Sequence, residues 1–251
     1  MKNITALIFV SGLLLIGIYD LALGNDEKTQ VQKDKPYALP GLDHGLLQSP
    51  INILSAQSKT GKHNVTVKFK DEINKIKNLG HTVQLDFVHG NTITFDNKTY
   101  EFKQLHFHTP SEHLIDGVTY PMEMHIVNTL IGQKKGDIPE YFVVAFHFKM
   151  GKENKFISEF INLIPKDADQ TRDIVPGIVK LKDLFDQNPK EEINSYYHYK
   201  GSLTTPPFTE SVHWYVLKKI FEASPEQIRQ INLIEGDNAR HIQARYGREV
   251  K

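Results

Sequence analysis

Between residues 65 and 108, apolar side chains recur at every second position. A helix cannot gather that period onto one face, whereas a strand can. Val65-Thr-Val-Lys-Phe69 and Thr82-Val-Gln-Leu-Asp-Phe87 alternate in this way. Thr92–Phe95 and Thr99–His108 do the same on either side of Asp96-Asn97-Lys98, whose turn-forming residues predict a hairpin. Tyr141 to Lys149 is almost wholly apolar, as suits a central strand covered on both faces. Helical signals are confined to Phe156–Leu163, Pro176–Asp186 and Pro225–Asn232, the last with Ser224 as its N-cap and Pro225 at the first helical position. The expectation is a mostly β domain carrying short surface helices.

Composition narrows what such a domain can do. Lys plus Arg number 30 and Asp plus Glu number 30, so the formal charge is zero and no electrostatic footprint for nucleic acid is present. The absence of cysteine excludes disulfides, thiolate catalysis and cysteine-bound zinc. Twelve histidines leave imidazole as the metal ligand, if a metal is bound. At the N-terminus, Lys2, the uncharged run from Ile4 to Tyr19 and the small-residue pattern Ala22-Leu23-Gly24 predict an export signal over residues 1–24. A polar leader is expected over residues 25–44 and the folded domain over residues 45–251. With no cysteine, a bacterial periplasm or secretion is the expected destination.

The stretch Gln104-Leu-His106-Phe-His108 concentrates the chemistry. Residues two apart on a strand share a face, so His106 and His108 project side by side, about 6.5 Å apart along the strand. Leu105 and Phe107 point the other way. A third ligand from a neighbouring strand is offered by His125, with Glu123 and Val127 on its face. Gln104 precedes His106 by two residues as Glu123 precedes His125. Each supplies the acceptor that zinc-bound histidines use to fix the tautomer of the ring. Three neutral histidines with one open position make a catalytic rather than a structural zinc site. A rival reading pairs His106-x-His108-x-x-x-Glu112 with a later His147, the spacing of a cupin metal motif, for iron or manganese. Pro110, between His108 and Glu112, interrupts the strand on that reading.

Further motifs follow in order: Gln48-Ser-Pro-Ile-Asn-Ile53, Ser111-Glu-His113, Leu203-Thr-Thr-Pro-Pro207, Val212-x-Trp214 and Asn238-x-Arg240. With the histidine strands, this ordered set resembles the alpha-class carbonic anhydrase family, in its bacterial form, over roughly residues 45 to 249. The resemblance implies one domain around a mixed, predominantly antiparallel sheet of about ten strands. It implies reversible hydration of carbon dioxide to bicarbonate and a proton, by attack of zinc-bound hydroxide, with His106, His108 and His125 holding Zn2+. Thr204 and Glu112 would orient the nucleophile, and Thr205 would line the bicarbonate side. Val127, Val143, Leu203, Val212 and Trp214 would form the apolar wall for carbon dioxide. His81 would carry the proton to solvent, and Gln84 would order water along the way. Sulfonamide inhibition is expected, in a monomer or homodimer. A carbonic-anhydrase-related binding module that purifies without zinc is the alternative of a different class.

Overall fold

The alternating segments pair into one large sheet. In the computed structural model, residues 45–251 are described except 60, 62, 69, 71–72 and 186–193. The expected export signal and leader, and also Phe69 and Asp186, lie outside the described residues. The strands are β1 (Asn52–Ile53), β2 (Val65–Lys68), β3 (Ile73–Asn78), β4 (Val83–Phe87), β5 (Thr92–Phe95), β6 (Lys98–His108), β7 (Leu114–Ile115), β8 (Met122–Leu130), β9 (Tyr141–Met150), β10 (Gln170–Asp173), β11 (Tyr196–Gly201) and β12 (Val212–Ala223). Ten of them make the main sheet, in the order β10-β3-β4-β6-β8-β9-β12-β11. Strand β5 pairs with the first half of β6 and carries β2 outside it, while β4 pairs with the second half. All these pairings are antiparallel except β9 with β12. The mixed, mostly antiparallel sheet that the resemblance implied is therefore observed, and β5 and β6 form the hairpin expected from the sequence.

The central strands together feed two apolar layers. Leu105 and Phe107 of β6, Met124 and Ile126 of β8, and Val144 and Phe146 of β9 enter a large core on one face. Val143 and Ala145 of β9 and Val212, Trp214 and Val216 of β12 enter a smaller one on the other, with Ile51 and Ile53. Burying each large side chain contributes roughly 1.5–3 kcal/mol. The polar centre described below occupies the second face, so the larger core acts as its rigid backing.

Among the described residues, two α-helices flank the sheet: α1 (Lys155–Phe160) and α2 (Pro225–Glu235). Helix α1 tightens into a 3-10 turn at Ile161–Leu163, within the expected span. Helix α2 begins as read: Ser224 accepts from the Gln227 N–H, and Gln227 returns the bond to the Ser224 N–H. The expectation of a helix over Pro176–Asp186 is corrected. Only Leu181–Leu184 winds, as a 3-10 turn, and Val179, Leu181 and Leu184 reach the core from an otherwise irregular segment. No described helix is long and apolar enough to cross a membrane.

Candidate metal centre

Strand register brings the sequence-predicted ligands together. His106 in β6 lies directly opposite His125 in β8, and His108 lies opposite Glu123. The ring centroids of His106, His108 and His125 stand 4.7 to 5.3 Å apart. One ring nitrogen from each falls within a mutual 4.8 Å. His106 Nδ1–H donates to Gln104 Oε1 at 2.8 Å, which leaves the Nε2 lone pair free. His125 Nε2–H donates to Glu123 Oε1 at 2.7 Å, which leaves Nδ1 free. Both nitrogens of His108 are buried without a hydrogen-bond partner. Buried imidazole nitrogens rarely go unpaired, because desolvation is costly.

Electrostatics keep these rings neutral. Burial, then the neighbouring rings His108 and His125, holds His106 well below the ordinary imidazole value. Burial lowers His108 to about 4 and also lowers His125. Neutral rings present lone pairs, the form a metal needs. The donor set, its convergence and its orphaned nitrogens fit a zinc-type ion.

A carboxylate network braces the centre from behind. Glu123 is fully buried and accepts three N–H groups: the backbone and Nδ1 of His113 at 2.8 and 2.7 Å, and Nε2 of His125. His113 Nε2 in turn lies 2.7 Å from the Tyr199 hydroxyl, which donates to Ser49 Oγ at 2.8 Å. Gly201 is required where this network meets the turn: a Cβ there would sit 2.1 Å from Ser49 Oγ and 2.8 Å from Trp214 Cδ1. His147, the cupin-type ligand, is buried beside Glu123 and His113 and does not join the three histidines. That rival spacing is thereby set aside.

Glu112 comes from the loop after β6, with Oε2 3.6 Å from His108 Nε2 and 3.9 Å from His125 Nδ1. Its Oε1 accepts the Arg240 backbone N–H at 3.0 Å, and the Thr204 side chain lies within reach of the carboxylate. Burial pushes Glu112 up to about 7, against the pull of His125, Arg240 and Thr204 toward the ionised form. Arg240 is pinned in turn by Gln48 Oε1 and Ser49 O at 2.9 and 2.7 Å.

A cavity of about 210 Å³ opens onto His106 and His125. Val127, Tyr141, Val143, Leu203 and Trp214 make its apolar wall, and Gln104, Thr204 and Thr205 its polar side. Val212, expected in the wall, is instead packed in the small core with Trp214. Gln84 stands opposite His106 in the β4–β6 register and donates to Asp86 at 2.6 Å. His81 is exposed after β3, close enough for its charge to act on His106. Its carbonyl accepts from Asn238 Nδ2 at 2.8 Å.

A profile of the eukaryotic-type carbonic anhydrase family matches residues 37–251. The chain belongs to the alpha carbonic anhydrase family. The carbonic anhydrase of Neisseria gonorrhoeae is 37% identical over 212 residues, 82% of this chain and 77% of that protein. The alpha-carbonic anhydrase of Thermovibrio ammonificans, solved with the inhibitor sulfanilamide, superposes with a TM-score of 0.73 at 33% identity, covering 82% of this chain and 87% of the other. That of Photobacterium profundum superposes with a TM-score of 0.73 at 31% identity, over 85% and 92% of the two chains. Hydration of carbon dioxide is the general reaction of this carbonic anhydrase family.

Within this family member, three supporting residues lacked an assigned role in the sequence reading. His113 and Arg240 were visible only as parts of motifs, and Tyr199 gave no signal at all. A fourth, Glu235, closes α2 beneath the centre. It accepts the Thr109 hydroxyl at 3.1 Å and the Val83 N–H at 3.3 Å. Burial raises it from 4.5 to about 8 despite those donors. The unfolded chain therefore releases this proton first, and folding stability falls as pH rises from about 4.5 to 8, then levels off. Glu235→Gln is expected to remove that fall. In urea titrations of the metal-free chain, the variant should match the native protein near pH 5 and exceed it by roughly a few kcal/mol above pH 8. Parallel pH profiles would show that Glu235 ionises freely.

Proposed function

We propose that the chain is a zinc-dependent carbonic anhydrase that interconverts carbon dioxide and bicarbonate, exported by its N-terminal segment to a bacterial periplasm or secreted. The observation that carries this reading is the convergence of three neutral imidazoles, His108 and His125 buried and His106 half-buried, beside an apolar-walled cavity. His106, His108 and His125 would hold the zinc. Bound there, zinc lowers the pKa of water to about 7 and supplies a nucleophile at neutral pH, carbonic anhydrase being the standard case from which that general figure comes.

The chain's own residues then divide the remaining work. Ionised Glu112 accepts the Thr204 proton, which turns a lone pair of the Thr204 hydroxyl toward the cavity as an acceptor. Arg240 N–H holds that carboxylate in place. A dication among the histidines would favour the ionised form further, because opposite charge lowers a carboxylate's pKa. Carbon dioxide carries no charge to grip, and Val127, Val143, Leu203 and Trp214 offer it an apolar wall. Thr205 borders the same space on the polar side, where bicarbonate forms. His81, in solvent, would take the released proton outward, as a histidine can near neutral pH. Sulfonamides are the inhibitor class this site would accept.

Stopped-flow carbon dioxide hydration, with zinc content measured on the same full-length chain, tests the reading. Fast hydration that a chelator or sulfonamide abolishes is expected. In dilute buffer, His81→Ala should slow turnover about tenfold or more, and added imidazole should restore it. Zinc without hydration would remove the catalytic reading. A His81→Ala variant indifferent to buffer would remove His81 from the proton path.

A further inference from the structure

A second group of imidazoles lies away from the cavity. His213 is adjacent to Trp214 in β12, so it points to the opposite face of the sheet from the metal centre. His198 in β11 shares that face, and its Nε2 lies 3.3 Å from His213 Nδ1. The two rings are nearly parallel, at 11°. His63, just before β2, packs its ring 4.6 Å from that of His198. Its Nδ1–H donates to Asp96 Oδ2 at 2.6 Å, and its Nε2 is buried without a partner.

Two features separate this group from a chance cluster. At a metal–nitrogen distance of about 2.0–2.1 Å, neighbouring ligands of a tetrahedral ion stand about 3.3–3.4 Å apart, and those of a square-planar ion about 2.8–3.0 Å apart. The observed 3.3 Å between His198 and His213, spanned by a ring-to-ring hydrogen bond in the metal-free chain, also fits the tetrahedral edge. A carboxylate also stands at the far nitrogen of two rings: Asp96 is hydrogen-bonded to His63, and Glu140 lies 3.6 Å from His213 Nε2, in ion-pair range but beyond hydrogen-bond distance. Such outer carboxylates orient metal-bound histidines and raise their basicity. Gln104 and Glu123 play that part at the first centre.

We propose that His63, His198 and His213 form a second site for a tetrahedral, zinc-class divalent ion, which clips the segment before β2 to the β11–β12 edge. Among the described residues, these three do not yet meet within the 4.8 Å that gathers His106, His108 and His125. The His63 ring swings onto the preformed pair as the ion binds. Burial, followed by the neighbouring His63 and His213, brings His198 down to about 3, so it stays neutral and able to ligate at ordinary pH. Facing the site are the carboxylates Asp96 and Glu140, the latter bound by Lys98 and Tyr100, and the cations Lys200 and Lys251. In a chain without cysteine, the clip would tie together positions 135 residues apart (63 and 198) without a disulfide.

The test is titration of the metal-free full-length chain with Zn2+, followed by calorimetry and native mass spectrometry. Two equivalents are expected, the second at least tenfold weaker than the first. His213→Asn and His63→Ala should each keep the first equivalent and lose the second. A native chain that takes only one ion, or variants that still take two, would overturn the site. If a variant lost both ions, the decision would pass to the ring 15N resonances of the native chain. The second equivalent must then move the His63, His198 and His213 signals, and unmoved signals would refute the proposal.

Discussion

Replacing His125 with alanine is expected to strip the chain of tightly held zinc and to lower carbon dioxide hydration by at least about a thousandfold. Two ligands would remain, both on β6, and two imidazoles hold zinc far more weakly than three. Without the ion, water keeps its ordinary pKa of about 15.7 in place of about 7, the latter being the value known from carbonic anhydrase itself. The nucleophile then all but vanishes at neutral pH. Zinc content by mass spectrometry and stopped-flow hydration on one sample check this result. A variant that held zinc and turned over fully would break the assignment of ligands.

Glu123→Ala should have the largest effect on stability, on the order of 3–5 kcal/mol. Burial alone would raise this carboxyl, but His113, His147 and His125 around it hold it well below the ordinary range. A depressed carboxylate contributes stability above its unfolded pKa of about 4.5, and that contribution is lost as pH falls toward the folded value. Its removal leaves the His113 backbone N–H and two ring N–H groups without an acceptor in a dry interior. Zinc affinity should fall by about 10- to 100-fold as His125 loses its orientation. Denaturant midpoints above pH 6, with and without zinc, separate the two effects. Glu123→Gln, which keeps the shape and one acceptor, should recover part of the stability and little of the affinity. Loss of less than about 1 kcal/mol in the alanine variant would mean that the network carries no stability.

Strands whose apolar residues alternate, or which are wholly apolar, were legible in the sequence, as was β8 from its histidine and glutamate; β3, β10 and β12 were not. Alternation marked β4, β5 and β6 because each turns one face to a core and the other away from it. Strand β3 hid behind a bulge between Ile73 and Lys75, which brings Ile73 and Ile76 to the core three residues apart and breaks the period of two. Strand β10 is fully exposed, held to β3 by its backbone and the Lys75–Asp173 ion pair at 4.0 Å, and carries no apolar signal. In β12, burial of Val212, Trp214, Tyr215, Val216 and Leu217 on both faces erases alternation, and a register shift follows after Val216. The apolar spacing at Val179, Leu181 and Leu184 mimicked a helix because an irregular segment can bury the same residues. The three histidines were readable because ligation demands fixed residue types at strand spacing. Tyr199 was not, since a hydroxyl reaching across the sheet to His113 leaves no local pattern.

The β6–β8 pairing also separates two parts of the site in time. All three proposed metal ligands lie within the twenty residues from 106 to 125, on strands adjacent in the main sheet with only the two-residue β7 between them along the chain. Leu203, Thr204 and Trp214 arrive with a segment some eighty to ninety residues later, and Trp214 reaches its place only when β12 docks in parallel onto β9. Synthesis runs from the N-terminus, and contacts distant in sequence form slowly. A nascent chain can therefore gather its three histidines long before the apolar wall of the cavity is in place.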